Sequence, residues 1–293
     1  MTVAAQEIGH GVKAFDDALR DLGYVEGKNL VVERRFAEGR RDRLPALAAE
    51  LVKLKPDLIV TGSNPVVAAV KKETTTIPIV MAVSRDPVGA GFIANLAKPG
   101  GNITGLANDP APEIHAKSLE FLKEAVPRAT RVALLWNPLD PGAQSYRTAV
   151  ETAGRKSAVT IRVVEIRDPS DIAGAFASLG RERTDGILVL QDPITFSARD
   201  AVVQLAAKGR LPAVYAQREF VEAGGLMSYG VNIASQFRHA AVYVDKILKG
   251  AKPGDLAVEQ ATRFELVINL NTARALGLSI PPSLRLRADQ IIE

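Results

Sequence analysis

Apolar positions along this chain fall into two alternating patterns. Short unbroken runs, such as 77–83 and 132–136, read as buried strands; stretches with an apolar stripe at helical spacing lie between them. The first helix covers 10–22, with Ala14, Phe15, Ala18, Leu19 and Leu22 on one face. A strand at 30–36, a helix at 41–54, a strand at 57–60 and a short helix ending at Glu73 follow, and then the strand at 77–83. Ser84-Arg85-Asp86-Pro87 breaks that run, with Pro87 placed to open a short small-residue helix. Pro99-Gly100-Gly101-Asn102 makes the next tight turn.

Asp109-Pro110-Ala111-Pro112 cannot continue a regular element and marks a boundary. Beyond it the alternation resumes, with helices at 113–125, 142–156, 169–181 and 196–208 and strands at 132–136, 160–165, 186–190 and 212–215. The segment 224–230 reads as an extended crossing. A helix at 234–249 ends at Gly250, a strand covers 264–270, and a helical turn at 272–276 is stopped by Gly277. Strands alternating with helices are the signature of a parallel sheet built from βα units. The fold class is therefore α/β, with two doubly wound parallel-sheet lobes.

Composition narrows the function. The 293 residues are 47% apolar and 24% charged, the balance of a globular protein with a large core. The absence of cysteine excludes disulfides, thiolate metal sites and cysteine nucleophiles. The net charge of +4 is spread among nearly as many acids. Its densest basic run, Arg34, Arg35, Arg40, Arg41 and Arg43, is interleaved with Glu33, Glu38 and Asp42, so it reads as a solvated face and not a nucleic-acid interface. No apolar run reaches the ~18 residues of a transmembrane segment. The first residues lack the basic and apolar regions of a signal peptide, so the chain as written would stay cytoplasmic.

Catalytic patterns are missing. His10, His115 and His239 are far apart, each within an expected helix, where a surface or half-buried role is the plain reading. There is no nucleophile elbow, phosphate-binding loop or dinucleotide fingerprint, and Gly89-Ala90-Gly91 is too short to serve as one. No metal or other cofactor is implied. A two-lobe α/β protein of this kind is more simply a binder than an enzyme.

In open parallel sheets, ligands sit at the carboxyl ends of the strands. The polar strand ends nominate Ser63, Asn64, Ser84, Asp86, Trp136, Asn137, Asp192, Tyr215, Glu219 and Ser228 as ligand-binding residues. Asn64-Pro65, Asp86-Pro87, Asn137-Pro138 and Asp192-Pro193 have the form of a helix cap followed by proline in the first turn. Capping and ligand contact are both open to these four. Asp86 or Glu219 could pair with an ammonium group. Trp136, Tyr215 and Tyr229 divide evenly between core packing and stacking on a ligand.

At these residues the chain resembles a known family, the ABC-transporter substrate-binding proteins of the tryptophan/tyrosine-type group. The resemblance is carried by Leu22-Gly23-Tyr24-Val25-Glu26-Gly27-Lys28-Asn29, by 77–106 and 131–138, by 218–230, and by 264–270 with Ile280-Pro281-Pro282-Ser283. It implies a type I periplasmic-binding-protein fold, with a first lobe at 1–106, a second at 107–229, a return to the first at 230–260 and to the second at 261–293. Crossings would fall near 102–109, 227–232 and 259–263. It further implies a small polar ligand, such as an amino acid or a related compound, on which the lobes close, and a permease and ATPase complex as partner. Members are exported, often lipid-anchored.

The family pattern begins with a signal and a buried strand before the first helix, and both are expected to be missing here, as in a late start or a truncated copy. Two other classes remain as alternatives. An intracellular sensor of the same fold would need a helix-turn-helix or kinase module, and a two-domain enzyme would need a catalytic base and phosphate-binding glycines.

Overall fold

A computed structural model describes residues 2–6 (backbone only), 11–38, 40–108, 114–140 and 143–293. Two units divide the chain: Met1–Pro110 with Ile233–Thr262, and Ala111–Asn232 with Arg263–Glu293. In chain order the first unit holds β1 (Thr2–Gln6), α1 (Gly11–Asp21), β2 (Val31–Arg35), α2 (Leu44–Lys53), β3 (Leu58–Thr61), α3 (Asn64–Glu73), β4 (Ile79–Met81) and β5 (Ile103–Ala107). The second holds α4 (Ile114–Ala125), β6 (Arg131–Trp136), α5 (Ala143–Lys156), β7 (Thr160–Glu165), α6 (Asp171–Arg181), β8 (Gly186–Val189), α7 (Pro193–Ser197), α8 (Arg199–Lys208), β9 (Ala213–Tyr215), α9 (Arg218–Glu222) and β10 (Met227–Gly230). The chain then returns to the first unit for α10 (Ile233–Leu248) and β11 (Glu259–Gln260). It ends in the second with β12 (Glu265–Asn269), α11 (Leu270–Leu276), α12 (Pro282–Arg287) and β13 (Gln290–Ile292).

The first sheet has strand order β11-β5-β4-β3-β1-β2, and the second β13-β12-β10-β9-β8-β6-β7. All pairings are parallel except β10 with β12. This corrects the expectation of a missing first strand. Ala4 pairs with Glu33 of β2 on one side and Ile59 of β3 on the other, so β1 lies inside the sheet. Its sequence, Thr-Val-Ala-Ala-Gln, is five residues with two alanines, too short and too weakly apolar to announce a strand. Ladder bonds on both sides hold it there.

Three further expectations change. Residues 87–91 form turns where a helix was expected: the Ala90 N–H closes one helical turn on the Asp86 carbonyl at 2.8 Å, and Asp86 itself takes a left-handed φ of 38°. Residues 224–230, read as an extended crossing, include a strand of the second sheet, Met227–Gly230, paired on both edges, and the chain passes to the first unit after Asn232. The helix expected at 196–208 is two, α7 and α8, separated at Ala198. The proline-rich boundary at 109–112 and His10 lie outside the described residues.

Each unit packs as its apolar periodicity requires. In the first, Leu47 and Leu51 of α2, Val66, Val67 and Val70 of α3, and Ile59, Ile79 and Met81 of the strands form one buried cluster. The second sheet is covered on both faces. Leu134, Trp136, Leu188, Val214 and Met227 point to one side; Leu135, Val189, Tyr215 and Phe220 belong to the other. Burying one such side chain stabilises the fold by roughly 1.5–3 kcal/mol, so two-sided coverage explains why these strands read as unbroken apolar runs. Close strand approach also selects a glycine: Gly105 of β5 has φ +127°, and a Cβ there would lie 2.2 Å from the Met81 carbonyl oxygen. Among the described residues no helix is long and apolar enough to cross a membrane.

Candidate functional site

The carboxyl ends of β3 and β4 are tied together by one amide. Asn64 is 2% exposed. Its Nδ2 donates to the Arg85 carbonyl at 2.7 Å, and its Oδ1 accepts from the Arg85 N–H at 2.9 Å and the Ser84 hydroxyl at 3.0 Å. Asn64 is therefore not the cap expected of it. The cap position is Ser63, which makes no side-chain cap bond; Asn64 is the first helical residue, with Pro65 after it. Ser84 is buried, and its carbonyl accepts from the Asn108 N–H at 2.9 Å. Asp86 turns back on its own loop, where Oδ1 accepts from the Gly89 N–H at 2.9 Å.

The second unit repeats the device between β6 and β8. Asn137 Nδ2 donates to Asp192 Oδ2 at 2.8 Å, and both residues are buried. Asp192 caps α7, with Oδ1 accepting from the Ile194 N–H at 2.8 Å. Asn137 Oδ1 accepts from the Leu139 N–H at 2.9 Å. A buried polar group of this kind is stable only when paired, so each pair fixes two strand ends at a set spacing.

Trp136 closes β6. Its ring belongs to the core, with the Arg147 guanidinium 5.0 Å above it, and its Nε1 has no hydrogen-bond partner among the described residues. Tyr215 ends β9 as a core residue: it is 1% exposed and stacks on Phe220 with ring centroids 4.7 Å apart. Burial pushes its phenol well above the ordinary range. Tyr229 packs edge-on against Phe121 at 4.9 Å, also on the packing side of its alternatives. Ser228 lies in β10 opposite Tyr215, 1% exposed, and its Oγ has no partner among the described residues. Glu219, in the first turn of α9, is buried.

Arg85 and Gln217 are among the buried polar residues that were not nominated from the sequence. Arg85 lies between Ser84 and Asp86, and its side chain is 5% exposed. Gln217 precedes α9 and is likewise 5% exposed, with Oε1 unpartnered among the described residues. Both lie in polar loops at strand carboxyl ends, 84–86 and 215–219, which is the signal that could have found them.

Two doubly wound units with buried polar residues at their strand ends define the class of two-lobe α/β binding proteins. The comparisons are specific. Residues 3–292 match the family described as ABC transporter substrate binding protein. A tyrosine-binding protein of Clostridioides difficile is 27% identical over 279 residues, covering 95% of this chain and 78% of that protein. The structure of an ABC domain in complex with L-Trp from Streptococcus pneumoniae superposes with a TM-score of 0.92 at 25% identity, covering 99% of each chain. That of a conserved domain protein from Vibrio cholerae O1 biovar El Tor gives 0.91 at 30% identity, covering 99% of this chain and 98% of that one. The chain belongs to the ABC transporter substrate binding protein family. It has the type I periplasmic-binding-protein fold, and its role is to bind a small solute for an ABC importer.

Proposed function

We propose that the solute is an aromatic amino acid, which the protein hands unchanged to a permease and ATPase outside the cytoplasm. One observation carries this reading: of the proteins most similar to this chain, one is a tyrosine-binding protein and another was solved with L-Trp. The strand-end chemistry supports it. Buried N–H, hydroxyl, amide and carboxylate groups at Trp136, Ser228, Gln217 and Glu219 suit a compact zwitterion better than an apolar solute. We assign the ligand contacts to these residues. Asn64, Ser84, Asn137 and Asp192 frame the strand ends, since the hydrogen bonds described above join them to neighbouring protein groups.

A thermal-shift screen of the twenty amino acids, nucleosides and simple sugars tests the proposal. A ligand at a hundredfold excess over Kd stabilises the folded state by ~2.7 kcal/mol. L-tyrosine or L-tryptophan should give the largest shift and be recovered intact. A shift from sugars alone, or consumption of the ligand, would overturn the reading.

A further inference from the structure

Gln217 and Ser228 are adjacent unsatisfied groups within one unit. Ser228 of β10 pairs in register with Tyr215 of β9, so the two side chains share a face of the sheet. Gln217 follows two residues after Tyr215, at the bend between β9 and α9, with extended backbone (φ −136°, ψ 136°). Gln217 thus leaves the carboxyl end of β9 two residues after the partner of Ser228. Both are at least nine-tenths buried, and neither Gln217 Oε1 nor Ser228 Oγ has a partner among the described residues. Buried polar atoms are rarely left without a partner, and two of them at the carboxyl end of one strand pair point to a group from outside the chain.

The chemistry selects that group. Gln217 Oε1 can only accept, and Ser228 Oγ can accept with either lone pair. Two residues beyond Gln217, Glu219 places a carboxylate that is also 5% exposed. Acceptors with a carboxylate two residues away along the chain favour a cation with several N–H donors over a second carboxylate; a primary ammonium has three. We propose that Gln217 and Ser228, with Glu219 supplying the countercharge, form the subsite that takes the primary ammonium of the ligand. The assignment rests on the amino-acid reading above and adds which end of the ligand meets the second unit.

Calorimetric titration of the folded protein tests it with three pairs: L-tyrosine and 3-(4-hydroxyphenyl)propionate, L-tryptophan and indole-3-propionate, tyramine and 4-ethylphenol. Each pair differs by the ammonium group. Wild-type protein should bind the amine of at least one pair and prefer it tenfold or more over its desamino partner. Gln217→Met and Ser228→Ala should each erase most of that preference while changing affinity for the desamino compound less than twofold. Gln217→Glu, which keeps an acceptor, should retain it. Melting temperatures show that each variant is folded, and the two substitutions lie on different elements, so one folded variant suffices. If the desamino compounds bind as tightly as the amines, or if the variants weaken both members of a pair equally, the subsite is wrong while the aromatic-ligand reading stands. If folded wild-type protein binds none of the six, the amino-acid reading falls and the subsite with it.

Discussion

Asn64 holds the backbone of Arg85 at both polar ends, donating to its carbonyl at 2.7 Å and accepting from its N–H at 2.9 Å. A two-point clasp of this kind behaves like a ladder pair between segments that are not paired strands. It joins the start of α3 to the loop after β4 across twenty-one residues of chain, and the Ser84 hydroxyl adds a third bond at 3.0 Å. Removing the amide leaves the Arg85 N–H, its carbonyl and the Ser84 hydroxyl short of a partner inside the protein. Each buried loss costs about 1–3 kcal/mol, less what water entry recovers. Asn64→Ala should therefore destabilise the protein by about 2–4 kcal/mol in urea unfolding. A stable variant with weakened ligand affinity would instead make Asn64 a ligand contact.

The sequence pattern read Asn64-Pro65 as cap and first helical residue, and the helix begins one residue earlier than that. The difference has a physical source: with Ser63 in extended backbone, the Asn64 side chain is free of capping and reaches the next strand end. Which partner an asparagine finds depends on tertiary placement, so Asn64-Arg85 and Asn137-Asp192 are invisible in one dimension. The strands over Leu58–Thr61, Ile79–Met81 and Gly186–Val189 were legible because helices cover both faces and leave a continuous apolar run. Thr2–Gln6 was not, because its stability comes from partners on either side more than from its own residues. Glutamine carries no motif, so Gln217, although within the polar strand-end loop 215–219, was not singled out until its burial and an Oε1 unpartnered among the described residues marked it.

The matching clasp in the second unit is graded. Asp192 accepts from Asn137 with one oxygen and from the Ile194 N–H with the other. Asp192→Ala removes both the cap and the Asn137 partner and should cost about 2–3 kcal/mol. Asp192→Asn keeps one acceptor and should cost about half as much. Chemical denaturation of the two variants side by side checks the order; equal losses would mean that one of the two bonds contributes nothing.

Gly105 tests strand packing in the first unit. With φ at +127° and the Met81 carbonyl 2.2 Å from where a Cβ would stand, alanine is excluded both by conformation and by space. Gly105→Ala should destabilise by about 3 kcal/mol or yield little folded protein. Gly23, also at positive φ but with open space around it, is the control: Gly23→Ala meets only the backbone penalty and should cost about 1 kcal/mol.

Asp185 links folding to pH. Burial alone would push its carboxyl up, but the Thr130 and Arg131 N–H groups donate to it at 2.8 and 2.9 Å and, with the Thr130 hydroxyl, hold it below the usual carboxylate range. A group depressed on folding contributes stability above its unfolded value, near ~3.9, and loses it as pH falls through the folded value. Asp185→Asn should therefore lower stability by about 1–2 kcal/mol at pH 7, and the gap to wild type should narrow on acidification below about pH 4. Unfolding curves at several pH values read this directly; a gap that is constant with pH would remove the carboxylate from the account.

Trp136 supplies an optical test, because it is the only tryptophan in the chain. It ends β6 beside Asn137, with its ring under Arg147 and its indole N–H unpartnered among the described residues. A ligand acceptor reaching Nε1 would complete that donor and change the polarity around the ring, which the emission senses. Excited where tyrosine does not absorb, the protein should change its emission saturably with added L-tyrosine, at the Kd found by calorimetry. Trp136→Phe keeps the packing and the cation–π contact but deletes the donor, so it should silence the signal and weaken binding about fivefold to tenfold, the worth of one hydrogen bond. An emission spectrum that stays fixed while calorimetry reports binding would return Trp136 to the core alone and leave ligand recognition to the Gln217 and Ser228 side of the sheet.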